Sequence, residues 1–171
     1  EVAVMRSSFS NLGLGLVLAL LFAYLIVVPL FRSFKQPIAM LVAFPPALSG
    51  MIALLWITGT PLSIQALMGA IMVVGITVSY GNLMVDRINS LRRDGMGLEE
   101  AIVAGSQQRL RPILMTAITT VLGLMPTAWG LGGSQINQPL ALAVVGGTIM
   151  AAWLTLYVVP AGYRLFNASE S

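Results

Sequence analysis

The stretch GITVSYGNLMVDRINSLRRDGMGLEEAIVAGSQQRLRPILMTAITT, Gly75 to Thr120, begins inside one long apolar segment, crosses a charged middle and ends inside another. The middle holds five of the chain's nine Lys and Arg residues (Arg87, Arg92, Arg93, Arg109, Arg111) and four of its six acids (Asp86, Asp94, Glu99, Glu100). The flanking apolar segments carry a few polar side chains where water is scarce. This alternation is that of two membrane-spanning helices joined by a charged loop.

The composition says the same of the whole chain. Of 171 residues 57% are hydrophobic and 9% are charged, and the mean hydropathy is +0.90. A soluble domain carries about 25% charge, so the natural solvent of this chain is a bilayer. Cys and His are both absent, which removes disulfides, Cys/His zinc sites, thiol nucleophiles and histidine proton switches. The net charge of +3 comes from arginines beside membrane segments and suggests no nucleic-acid partner. The chain opens on Glu1 with no basic n-region before its first apolar run, so that run is not a signal peptide. It reads as a piece of a longer polypeptide.

Working outward, the pattern predicts an all-α membrane protein with five transmembrane helices and one cytoplasmic interfacial helix. Residues 1–8 are a periplasmic lead-in. Phe9–Phe31 is an uncharged first span of about 35 Å. Arg32 to Lys35 form a basic turn. Pro37–Ile57 is a second span, kinked at Pro45 and Pro46. Thr58-Gly59-Thr60-Pro61 is a turn, and Leu62–Val85 a third span, closing a membrane unit over 9–85. Residues 86–111 form a cytoplasmic loop whose part from Leu98 to about Arg111 is an amphipathic helix. Acids in its first turn and arginines in its last suit the helix dipole. The preferred reading lays it along the membrane boundary, with Leu98, Ala101, Ile102 and Gly105 on one face. Residues 112–166 hold the fourth span, Pro112–Leu131 with a kink at Pro126, and the fifth, Gln138 to about Gly162. Residues 167–171 are a cytoplasmic tail.

Five spans put the two ends on opposite sides. Eight of the nine Lys and Arg residues, all but Arg6, fall on one of them. The positive-inside rule then sets the N-terminus outside and the C-terminus in the cytoplasm.

Two polar stripes run inside the spans. In the third, Gly75, Ser79, Asn82 and Asp86 are spaced four, three and four, and so share one helical face with Met68 and Met72. In the fourth stand Thr116, Thr120 and Thr127. Arg109 lies seven residues before Thr116, on the same face if the helix is continuous; Pro112 can instead open the span and leave Arg109 in the loop. Two readings stand for each stripe. Small residues and an amide suit close helix packing, and threonines often bond back to their own helix. The same groups suit the wall of an ion path. No Asp or Glu lies at mid-membrane in any of the five spans. A proton carrier for such a path therefore belongs to another portion of the molecule, or there is no proton coupling.

At these residues the chain resembles the resistance-nodulation-division efflux permeases. The resemblance is carried by SFKQPIAMLVAFPPALSGMIALLWITGTPLSIQALMGAIMVVGITVSYGNLMVDRIN, by GMGLEEAIVAGSQQRLRPILMTAITTVLGLMPTAWG and by QPLALAVVGGTIMAAWLTLYVVPAGYRLF, with RLRPILMTA and GLMP the most specific segments. It covers essentially the whole chain and implies helices eight to twelve of a twelve-helix, proton-driven antiporter of the bacterial inner membrane. It implies a homotrimer, a periplasmic adaptor, an outer-membrane channel, and an N-terminal half whose fourth helix bears two aspartates. It implies no cofactor besides protons as coupling ion, and no enzyme activity. Of the family's relay residues, Arg109 and Thr116 match the eleventh helix. Ser79 stands where well-known drug pumps have Lys on the tenth, and Asn82 lies one turn on. The alternatives are a non-transporting structural or assembly module, and a subunit of a related protein-export complex.

Overall fold

The computed structural model describes residues 2–31, 44–131 and 135–167. Among them are five helices and no strand: α1 (Val2–Phe31), α2 (Phe44–Ile57), α3 (Ile64–Arg93), α4 (Leu98–Ala128) and α5 (Gln138–Asn167). All but α2 are long and apolar enough to cross a membrane. This is an all-α membrane protein. The basic turn at Arg32–Lys35, the start of the second span at Pro37 and the last residues of the tail lie outside the described residues.

Helix ends follow caps and turns rather than the limits of the apolar runs. The first helix begins at Val2, so the polar lead-in is helical. Pro45 and Pro46 follow directly on Phe44, the first described residue of α2; the rest of the expected second span before them lies outside the described residues. Ser63 caps α3 by accepting from the Ala66 N–H at 3.3 Å. The helix then runs past Val85 through Asp86 and both basic residues of its last turn, Arg92 and Arg93. Only Asp94 to Gly97 separate it from α4, and Gly95, at φ +93°, makes the reversal in a conformation that L side chains avoid.

The expected interfacial helix is not a separate element. Leu98 to Arg111 form the first turns of α4, which continues through Pro112 and Pro126 to Ala128. Its face of Ala101, Ile102 and Gly105 is buried, and a Cβ on Gly105 would fall 2.8 Å from the Ile88 side chain of α3. This face packs on protein, not on the membrane boundary. A proline early in a span does not end a helix whose neighbours re-satisfy the freed backbone groups.

Among the described residues the fifth helix is the centre of the bundle and packs on α2, α3 and α4, whereas α1 packs chiefly on α3. Small residues bring the backbones close. A Cβ on Gly50 would lie 2.7 Å from the Gly146 carbonyl, and one on Gly146 equally near the Gly50 carbonyl. Gly69 meets Ala143 and Leu140, and Gly147 meets Val73, so α3 and α5 run side by side in the same direction. Near Arg92 and Arg164 the same pair is tied again. Tyr163, 1% exposed, donates its phenol proton to Asn89 Oδ1 at 2.6 Å.

Candidate functional site

The polar stripe of α3 faces away from the bundle. Met68, Met72, Gly75, Ser79 and Asp86 are exposed and Asn82 is half-buried. A Cβ on Gly75 would meet nothing within 4 Å. The packing reading therefore fails for this stripe within the chain. Glycines that do pack closely, among them Gly50, Gly69, Gly105, Gly146 and Gly147, lie on other faces. Ser79 Oγ is folded back on its own helix and donates to the Gly75 carbonyl at 2.9 Å.

The uninterrupted α4 puts Arg109 and Thr116 on one helix, two turns apart, which removes the alternative of a loop arginine. Thr116 is exposed, while Arg109, Thr120 and Thr127 are half-buried. Back-bonding is observed. Thr116 Oγ1 lies 3.1 Å from the Pro112 carbonyl and 3.0 Å from that of Ile113, and Thr120 donates to the Thr116 carbonyl at 2.8 Å.

Two links hold the stripes of α3 and α4 beside each other. Thr116 Oγ1 donates across to the Tyr80 phenol oxygen at 3.3 Å, and Arg87 Nε donates to Gln108 Oε1 at 2.6 Å. Between these levels are two buried polar atoms with no hydrogen-bond partner, Asn82 Oδ1 and Arg109 Nε. One is an acceptor and the other a donor, and leaving either unmet costs about 1–3 kcal/mol. Asp86 forms no ion pair with Arg109; among the described residues the interhelical pair is Arg164 Nε with Glu99 Oε1, 2.8 Å apart and well exposed. No set of three metal-ligating side chains gathers among the described residues. The arrangement suits a guanidinium and hydroxyls meeting an acid supplied from outside the bundle.

Three residues of this region escaped sequence reasoning. Tyr80 lies on the buried side of α3, where an aromatic residue reads as core. Thr148 and Thr155 of α5 are fully buried, each with a hydroxyl lacking a partner. Their seven-residue spacing is the only signal that could have marked them, and it is shared by any helical core face. Pro126 sits in the last turn of α4, just before the C-cap Trp129 and Gly130 at φ +70°.

Comparison with known proteins places this geometry in context. The AcrB/AcrD/AcrF family model matches residues 2–167. The cobalt-zinc-cadmium resistance protein CzcA of Cupriavidus metallidurans is 38% identical over 97% of the chain. The swarming motility protein SwrC of Bacillus subtilis is 37% identical over 95%. The multidrug resistance protein MdtC of Erwinia tasmaniensis is 36% identical over 82%. The crystal structure of a heavy metal efflux pump superposes with a TM-score of 0.86 at 33% identity, over 97% of the chain and 16% of the pump. The chain spans 16% of the length of CzcA and of SwrC, and 14% of MdtC.

Proposed function

Because this chain belongs to the AcrB/AcrD/AcrF family of resistance-nodulation-division permeases, we propose that it forms the helical wall facing the proton-carrying acids of an efflux transporter. The observation that carries the reading is the exposed polar face of α3 and α4 at Ser79, Asp86 and Thr116, at whose edge Asn82 Oδ1 and Arg109 Nε lie buried and unbonded. An ionised carboxylate set against this face gives the Arg109 guanidinium a partner and gives Thr116 and Ser79 an acceptor. Protonating that acid removes the charge that holds Arg109. The helices then relax to a second packing, and this alternation drives transport.

The acids belong, on this reading, to an N-terminal half bearing the fourth helix. The permease is a homotrimer of the bacterial inner membrane working with a periplasmic adaptor and an outer-membrane channel. The N-terminus of this chain is periplasmic and its C-terminus cytoplasmic, as the basic residues require. Relatives named for metal ions and for multidrug resistance share these helices at similar identity. That supports a role in the drive rather than in the choice of cargo.

The test is Arg109→Ala in the assembled permease. Breaking a buried charge pair costs about 3–5 kcal/mol, so proton-coupled efflux falls at least tenfold while the amount of folded protein is unchanged. Efflux at the wild-type rate sinks the proposal.

A further inference from the structure

Thr116 is bonded unlike the other threonines on its side of α4. Thr119 and Thr120 each donate to one carbonyl of the preceding turn, those of Met115 and Thr116, at 2.8 Å. Thr116 Oγ1 stands farther from its carbonyls, at 3.1 and 3.0 Å, and shares itself between two of them. The third acceptor is the Tyr80 phenol oxygen at 3.3 Å. A threonine hydroxyl has one proton, so these three oxygens compete for it.

The two partners differ in how they are held. Tyr80 is 6% exposed and belongs to the same apolar cluster as Ile113, Ala117 and Met84. Packing fixes its ring without help from the hydrogen bond. Thr116, by contrast, lies on the bare face. The phenol thus reaches from the packed interior to the wall and offers an acceptor outside α4. Without it, the Thr116 hydroxyl has only its own helix to bond, as Thr119 and Thr120 do.

We propose that Tyr80 is a positioning residue for Thr116. It draws the hydroxyl proton away from the carbonyls of α4 into a long bond to the phenol, from which an ionised acid facing the wall, the stronger acceptor, takes it over. This rests on the relay reading above, since Tyr80 acts only through Thr116.

The test uses the assembled permease in proteoliposomes loaded with a pH-sensitive dye. Proton flux is driven by an imposed pH gradient in the presence of Zn²⁺ or ethidium, whichever gives the larger wild-type flux. Tyr80→Phe keeps the ring and its packing and removes only the oxygen. Its maximal flux falls about two- to tenfold, the rate equivalent of one hydrogen bond, with the KM for the probe and the yield of folded protein unchanged. Thr116→Val is at least as slow, and the double variant is no slower than Thr116→Val. Thr116→Ser, which retains the hydroxyl, keeps most of the flux beside Tyr80 but not beside Phe at position 80.

If Tyr80→Phe is fully active, or if its loss multiplies with that of Thr116→Val, the role of Tyr80 is overturned. Impaired Thr116→Val and Arg109→Ala variants would then leave the relay reading standing. If those two variants are themselves fully active, the relay reading falls and the assignment of Tyr80 falls with it.

Discussion

Asn82 and Arg109 each keep one polar atom out of water without a hydrogen bond. In the chain by itself that is a pure cost, because the desolvation is incurred and nothing is gained in return. Asn82→Leu therefore leaves the thermal stability of the purified chain in detergent unchanged or raises it by up to about 2 kcal/mol. A clear loss of stability would mean that the amide is already satisfied. The spacing of Gly75, Ser79 and Asn82 was legible in the sequence because helical periodicity alone aligns them. The bond between Tyr80 and Thr116 was not, because it joins residues 36 positions apart and depends on how two helices are rotated about their axes. No single-helix pattern carries that information.

Among the elements, α4 departs most from what its residues suggest. Charge from Glu99 to Arg111 reads as a surface segment, and Pro112 reads as a fresh start. The chain makes one helix of both, since charged side chains do not interrupt a helix and a proline removes only one rung. The limits of an apolar run mark where the solvent changes, whereas caps and turns mark where a helix ends. The break between α3 and α4 was legible because Asp94-Gly95 and Gly97 supply it. At φ +93°, Gly95 holds a conformation costly for any residue with a Cβ. Gly95→Ala lowers the stability of the purified chain by about 1 kcal/mol or more, measured by thermal or denaturant unfolding. No change in the unfolding midpoint would show that the turn relaxes freely.

At the scale of the molecule, the order of the spans and the family were readable from the chain. The central place of α5 was not: its run of small residues from Ala141 to Gly147 is hydrophobic in the same way as a lipid-facing helix. Only the close approaches at Gly146 and Gly147 distinguish it. The proposed orientation makes a direct prediction. In intact cells, a cysteine at position 60, Thr60→Cys, is labelled by a membrane-impermeant thiol reagent added outside. One at position 94, Asp94→Cys, is labelled only after the cytoplasmic side is opened. The reverse pattern would invert the topology, and the 171 residues themselves contribute no cysteine to the background.

The ring nitrogen of Pro112 has no hydrogen to give the Gln108 carbonyl, so one missing rung of α4 falls between the guanidinium of Arg109 and the hydroxyl of Thr116. Compliance is thus introduced where those two groups would have to change their separation. Below that point Arg87 and Ile88 grip the helix, and above it Tyr80 does. A flexure there swings one polar group relative to the other while both ends of the rod stay seated.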